Sequence, residues 1–449
     1  MNEQKTFHAA LVKIAIPVTL QSLLQSSFSV VDQIMTGQLG STSIAGIGLG
    51  SKFSSVFSVL VSAIAAVAGI MIAQYIGKKD NREVGRSFYI NLIMALLLAV
   101  VFTCLSCFFP LQIMGMYTKD ALTKEVAANY LRILGLSYIP IAISSLLSTL
   151  FRCREAATLP LYSTILTAIL NTGLNYVLIF GKFGFPALGA EGAAIATVIA
   201  QVVGCVLLIA LFLYKRRNES WEVPFWLRMG KESGKQYLGI LVPIIACEFF
   251  WSLGENVYAS IYGHIGTQPC AAMTLTTPIQ VLMIGALSGL AQAAGIIIGK
   301  SLGSQEYEKA YRDSKRLMVY GLIGSVAFSA IIVIFCRFYV QMYEVENLVK
   351  EITCQILVAF AIIAPVKVEN MILGGGILRS GGKTKYVMGI DFIGTWLFGV
   401  PLGLLAAYIW KLPIPYVYFI LSLEECVRLG ISLILFRKRG WMRSLEQEV

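Results

Sequence analysis

The sequence predicts an all-α polytopic membrane protein: twelve transmembrane helices in two six-helix bundles related by an internal parallel repeat. Three observations lead there. Of 449 residues, 57% are hydrophobic and 14% charged, whereas about a quarter of a soluble chain is charged. Apolar runs long enough to cross a bilayer, which takes about 20 residues, follow one another along the chain, and none alternates with period two as a barrel strand would. Finally, the two halves of the chain repeat at a constant offset.

Spans are read at 11–36, 46–76, 86–109, 124–150, 157–181, 189–214, 236–262, 271–300, 312–336, 348–378, 385–410 and 413–436. The first follows a short polar segment with Lys5, His8 and Lys13, and its own polar face argues for a retained helix rather than a cleaved leader. Loops after even-numbered spans carry most basic residues, such as Lys78, Lys79, Arg82 and Arg86, then Arg152 and Arg154, then Lys215, Arg216, Arg217 and Arg228, and later Arg379, Lys383 and Lys385. The positive-inside rule assigns these loops and both termini to the cytoplasm. That pattern also explains the net charge of +11 as a membrane signature, not a nucleic-acid patch. The longest hydrophilic stretch, 215–235, holds Trp221, Phe225 and Trp226 among charges and reads as a linker lying partly in the headgroup layer. It divides the chain into an N-terminal bundle 1–214 and a C-terminal bundle 236–449 with a short cytoplasmic tail.

Adding 226 carries Pro17 to Pro243, Gly40 to Gly266, Ala45 to Ala271, Gly69 to Gly295 and Gly77 to Gly303. AGIMIAQYIG at 68–77 meets AGIIIGKSLG at 294–303 in the same register. Six spans separate the copies, so both have one orientation in the membrane. Parallel repeats of this kind are a transporter design, with the substrate site between the halves.

Ionisable and amide groups inside the spans are the candidate functional residues, because hydrocarbon makes them costly to keep. In span 1, Gln21, Gln25, Ser29, Asp32 and Thr36 step by four, four, three and four and share one helix face. Thr164, Thr167, Asn171 and Asn175 do the same in span 5, either as interhelical glue or as cavity lining. Span 7 presents Glu248, Ser252 and Glu255; Lys52 in span 2 and Lys367 in span 10 are candidate partners, or else snorkel to the interface. Lys367, Glu369 and Asn370 precede a GGGILRSGG run read as close packing and a cytoplasmic turn, and span 11 adds Asp391 and Trp396. Glu424 and Arg428, four apart in span 12, are expected to neutralise each other.

The nine cysteines, including Cys205, Cys247, Cys336 and Cys354, lie mostly in apolar segments and read as small core residues, and the Cys104-x-x-Cys107 pair has no second pair or histidine beside it. Only two histidines occur, and no G-x-x-x-x-G-K-[ST] loop, so neither an enzyme nor ATP-driven transport by this chain is expected.

Asp32 with Met35, Gly37, Leu39 and Gly40, the stretch NTGLNYVLIFGKFGFPALGAEGAAIAT at 171–197, and GGGILRSGG followed by Asp391, Trp396 and Pro401 together resemble the multidrug and toxic compound extrusion (MATE) family of bacterial type. The resemblance covers nearly the whole chain. It implies two six-helix bundles across a central cavity and export of organic, often cationic, compounds in exchange for protons or sodium. The family's span-1 aspartate, its proton- or cation-responsive group, maps onto Asp32, and its span-5 asparagines onto Asn171 and Asn175. One branch has an aspartate where Asn175 stands. Members that bind a cation in the second bundle use carboxylates of spans 7 and 10, from which Glu255 and Glu369 are displaced by about a turn and a residue. Lys383 stands where many relatives are acidic.

The expected function is a cation-coupled (proton or sodium) antiporter exporting amphipathic organic cations by alternating access. Asp32 and Glu255 are the coupling positions, either of them a possible sodium site. Gln21, Gln25, Ser29, Asn171, Asn175, Glu248, Lys367, Asn370 and Asp391 are the cavity lining. Desolvation favours the neutral acid and a nearby cation the carboxylate, so proton and cationic substrate compete for one charge. The alternative on the same fold is a flippase or exporter of a lipid-linked or anionic metabolite, for which Lys52, Lys367 and Arg132 would line the cavity. A proton or sodium ion is the only cofactor expected, the lipid bilayer and small organic cations the partners, nucleic acid none, and the plasma membrane the location of a monomer.

Overall fold

A computed structural model describes residues 2–219, 221–227, 231–343 and 345–445, and its regular elements are helical throughout. The long helices are α1 Asn2–Thr36, α2 Ser41–Lys78, α3 Asn81–Phe108, α4 Ala121–Cys153, α5 Thr158–Phe180, α6 Gly189–Asn218, α7 Lys231–Ile265, α8 Thr267–Gly303, α9 Tyr307–Gln341, α10 Asn347–Leu378 and α11 Thr384–Ile409. Among the described residues these eleven are long and apolar enough to cross a membrane. The twelfth expected span is broken at Leu423 into Ile414–Ser422 and Glu424–Arg437, together α12. Predicted and observed spans otherwise differ by a few residues at each end, where polar first and last turns extend helices beyond their apolar centres; the largest difference is at the start of α1.

The repeat is visible in the backbone. Pro17 lies inside α1 and Pro243 inside α7. Gly40, with φ +86°, closes the first helix pair, and Gly266, with φ +147°, closes the seventh and eighth. Both need conformations that a side chain resists, which is why glycine recurs at this offset.

Contacts divide the chain into two compact units. One comprises Met1–Thr19, Gly77–Lys79 and Gly230–Val449, the other Leu20–Ile76 and Asp80–Met229. The first half of α1 groups with the second repeat because it is bonded there: the Thr19 hydroxyl donates to the Ala286 carbonyl of α8, and His8 bonds the Tyr320 hydroxyl of α9.

In the unit of Leu20–Ile76 and Asp80–Met229, small residues bring backbones together. A Cβ on Gly46 would meet Val126 at 2.7 Å, one on Gly50 the Tyr130 ring at 2.6 Å, and one on Gly192 the Leu178 carbonyl at 2.6 Å. Tyr130, Leu134, Ile179, Ala193 and Ala194 form a buried cluster roofed by Met35 and Leu39. The linker segment at 221–227 folds back on this unit. Val223 is buried, the Pro224 carbonyl occupies the place of a Gly85 side chain, Arg154 and Asn81 bond to Glu222, and the Arg82 guanidinium sits 3.7 Å over the Trp226 ring. Arg228 lies outside the described residues.

In the other unit α10 is irregular. Pro365 interrupts its hydrogen bonding, and the winding widens to π over Met371–Leu378. Such π-bulges are frequent at functional sites. The chain after α12 folds back: Trp441 is buried against Phe436, the Arg439 guanidinium lies 4.2 Å over Tyr311, and the Gln236 amide bonds the Leu445 carbonyl.

A candidate coupling and transport site

The polar face of α1 resolves into two bonded clusters. Near its middle, the Gln21 amide donates to the Thr164 hydroxyl of α5 at 2.9 Å, and its carbonyl accepts from the Arg152 guanidinium of α4 at 2.8 Å. Three turns on, the Asn175 amide donates to the Asp32 carboxylate at 2.5 Å and to the Asn171 carbonyl at 3.2 Å. Asn171 in turn donates to the Thr197 hydroxyl of α6, again at 3.2 Å, and Thr197 to the Ala193 carbonyl. Asp32 thus ends a relay across three helices. The buried Tyr130 ring feels its charge, and no basic side chain among the described residues pairs with it. The Asn175 carbonyl oxygen is buried without a protein donor, so a hard oxygen acceptor lies beside the carboxylate.

Ser163, Thr167 and Asn171 all reach α6: the Ser163 hydroxyl bonds the Gly204 carbonyl, and Thr167 fills the space that a Gly204 side chain would take. Span 5 therefore uses part of its polar row as glue and the Asn171–Asn175 end as the relay. Gln25 and Ser29 lie exposed on α1 and make no hydrogen bond among the described residues.

The second cluster belongs to the other unit, and it is larger than its sequence announces. The Arg379 guanidinium lies 3.5 Å from Glu248 and 4.0 Å from Asp391. Arg428 lies 3.8 Å from Asp391 and 3.7 Å from Glu425 and donates to the Thr395 hydroxyl at 2.7 Å. Lys367 stands 3.9 Å from Glu425, to which the Asn370 amide donates at 2.8 Å. Glu424 accepts from the Tyr258 hydroxyl at 2.6 Å. Three cations and three of these carboxylates, Glu248, Asp391 and Glu425, from α7, α10, α11 and α12 form one ion-paired network, in which mutual pairing offsets the cost of burying each charge, while Glu424 beside it is held by Tyr258.

Several expectations change here. Glu424 and Arg428 do not pair: helix rotation aims Arg428 at Asp391 and Glu425, leaving Glu424 to Tyr258. Arg379, read as part of a loop, turns inward. Its signal was present in the sequence, since carboxylates on spans 7, 11 and 12 outnumbered the cations assigned to them. Cys247 is no inert filler, because its thiol donates to Asp391. Arg152, also assigned to a loop, holds Gln21. Glu255 is exposed and forms no ion pair among the described residues, although Lys367 and Tyr262 lie within reach of its charge. Lys367 is committed to Glu425, while Lys52 and Arg132 are exposed. Among the described residues no group of three or more His, Cys, Asp and Glu is gathered as for a tightly held metal.

Comparison with known proteins matches this architecture end to end. The chain is 25% identical over 449 residues to the uncharacterized transporter YisQ of Bacillus subtilis, covering 98% of this chain and 96% of that one. It is 24% identical to the probable multidrug resistance protein NorM of Thermotoga maritima, covering 96% and 92%. A crystallised MATE protein in complex with MaL6 superposes with a TM-score of 0.88 at 19% identity, covering 98% of this chain and 97% of that one, which establishes the shared fold. The MatE family model matches twice, at residues 17–177 and 243–405, its two starts falling at Pro17 and Pro243, the residues that the internal repeat equates. On these grounds the chain belongs to the MATE family of membrane transporters.

Proposed function

We propose that this chain is a cation-coupled antiporter that exports amphipathic organic, often cationic, compounds by alternating access, with Asp32 as the group that exchanges a coupling ion for substrate. The observation that carries the reading is the position of Asp32, a carboxylate on a membrane helix with an amide donor and no counter-cation among the described residues. A carboxylate kept in that setting attracts a proton, a sodium ion or an organic cation, and only one at a time. Asn175 stabilises the charged form that receives substrate. Protonation or ion binding neutralises it and releases the cation. The membrane supplies about 2.3 kcal/mol per charge per 100 mV to drive the exchange.

The second cluster supports a division of labour. Its carboxylates are matched by Lys367, Arg379 and Arg428, so it serves first to hold α7, α10, α11 and α12 in register. NorM's description as a multidrug resistance protein supports the substrate class. The positive loops support a plasma-membrane protein with both termini cytoplasmic.

The test is export of a fluorescent organic cation from proteoliposomes with proton and sodium gradients imposed separately. Asp32→Asn is expected to abolish gradient-driven export. Undiminished coupled export by that variant would remove Asp32 from the mechanism, and the gradient that drives the parent identifies the ion.

A further inference from the structure

Where α3 begins and α6 ends, the surface is both basic and aromatic, and it lies wholly within the unit of Leu20–Ile76 and Asp80–Met229. Phe88 of α3 and Phe212 of α6 pack with ring centroids 5.9 Å apart, so these antiparallel helices bring Arg82 to the same end as Arg216 and Arg217. All three arginines are exposed, and none has a carboxylate partner among the described residues. The acids around them are already committed: Glu83 to Arg86, Glu219 to Lys215 and Glu222 to the Asn81 amide, while Asp80 caps α3. Glu155 has a partner of its own.

Residues 221–227 complete this surface. With Val223 buried and the Pro224 carbonyl against Gly85, the segment is held to α3, and Phe225 meets the Tyr89 ring edge-on at 4.9 Å. Tyr89 lies eight residues into α3, about 12 Å along its axis, so the segment reaches back from the helix end toward the bilayer. Phe225 is nevertheless 65% exposed, and Leu213 and Tyr214 on α6 are 55% and 58% exposed. Exposed aromatic and apolar side chains beside arginines suit the boundary between hydrocarbon and headgroups. Trp226 then turns back to Arg82, whose guanidinium lies 3.7 Å over its ring. Stacking occupies the face of the guanidinium and leaves its N–H edge free to donate, which is the fork that grips a phosphate.

We propose that this surface is a binding site for an anionic phospholipid, with Arg82, Arg216 and Arg217 taking the headgroup phosphate and Phe225, Leu213 and Tyr214 bordering the acyl chains. Its two kinds of side chain argue for a lipid over a free phosphate. A soluble anion would use the arginines and leave the apolar groups bare, whereas a phospholipid covers both. The charge argues for an anionic headgroup. Guanidinium groups without acid partners repel the ammonium of a choline headgroup, while phosphatidylglycerol brings a net negative charge and no cation. Basic clusters beside membrane helices draw anionic lipids for the same reason. The orientation proposed above makes this the inner leaflet, but the binding rests neither on that orientation nor on the antiport.

Native mass spectrometry of the full-length, delipidated protein in a non-ionic detergent tests the site. The ligands are phosphatidylglycerol, phosphatidylcholine with the same acyl chains, and glycerol phosphate, which carries the phosphate without the chains. The parent is expected to bind phosphatidylglycerol about tenfold or more tightly than phosphatidylcholine, and the triple variant Arg82→Gln, Arg216→Gln, Arg217→Gln to lose that preference. Unfolding temperature checks that the variant is folded. Should it not be, Arg216→Gln with Arg217→Gln decides instead: these two side chains form no hydrogen bond or ion pair among the described residues, and their loss is expected to remove part of the preference. Phe225→Ser is expected to weaken both lipids alike. Equal binding of the two lipids by the parent, or an unchanged preference in a folded arginine variant, overturns the proposal. So does glycerol phosphate that displaces the lipid at equal concentration, which would make the ligand a free phosphate. Failure of Asp32→Asn to impair coupling would overturn the antiport reading and leave the lipid result standing.

Discussion

Asn175 and Asp32, 143 residues apart in the chain, meet through an amide–carboxylate hydrogen bond of 2.5 Å that joins α5 to α1. A hydrogen bond to a charged group contributes about 1.5–3 kcal/mol. Asn175→Leu is therefore expected to lower gradient-driven export by about tenfold or more, one factor of ten corresponding to about 1.4 kcal/mol. Asn175→Asp would place a second carboxyl against Asp32. Since like charges at that distance do not both ionise, it is expected to retain a proton and to move the pH optimum of transport. Initial export rates across a pH series check both.

Arg428 is expected to be the most sensitive cation of the charged network. Its side chain is 9% exposed and faces both Asp391 and Glu425. Arg428→Met leaves two carboxylates without their shared partner, at a cost of about 3–5 kcal/mol for breaking a buried pair. Adding Asp391→Asn is expected to recover part of that loss, because the uncompensated charge goes with it. Thermal unfolding of the single and double variants in detergent measures the coupling.

Gly40 and Gly266 test the repeat as backbone chemistry. No atom lies within 4 Å of the place a Cβ would take on Gly40, and only the Pro269 ring approaches that place on Gly266, so any cost of alanine is conformational. With φ at +86° and +147°, each alanine is expected to destabilise by about 1–3 kcal/mol. Alanine at Gly48, where space is equally open and φ is helical, is expected to be neutral or slightly stabilising. Comparison of unfolding temperatures separates the two outcomes.

Gly381 holds the tail in place. A Cβ there would lie 2.0 Å from the Trp441 carbonyl oxygen, so Gly381→Ala is expected to expel the segment that buries Trp441. Trp441→Ala removes the buried ring, at about 3–5 kcal/mol. Both variants are expected to expose the tail to a protease that leaves the parent uncut, a difference visible on a gel.

Much of the architecture was legible beforehand, because hydrocarbon thickness translates directly into helix length and because Pro17, Gly40 and their counterparts mark the repeat in plain residues. The α1–α5 relay was half legible. Helical spacing put Asp32 on one face and Asn171 with Asn175 on another, but nothing in either row said that the two faces meet. Span 12 read as unbroken because the break at Leu423 carries no proline or glycine to announce it. The charged network was largely hidden. Its members Cys247, Tyr258, Arg379 and Arg428 come from helices far apart in the chain, and a linear reading pairs charges only with neighbours three or four residues away.

The sequence by itself determined the membrane class, the helix lengths, the doubled bundle and the candidate status of Asp32, since each follows from composition or from spacing along a single helix. Tertiary structure alone decided which polar groups are partners. It gave Asp32 an amide and no cation, bound Glu424 to Tyr258 in place of Arg428, and left Glu369 facing Gly321 with no donor. The reason is geometric: a helix sets the angle of a side chain about its own axis, but the rotation and depth of the neighbouring helix set what that side chain meets.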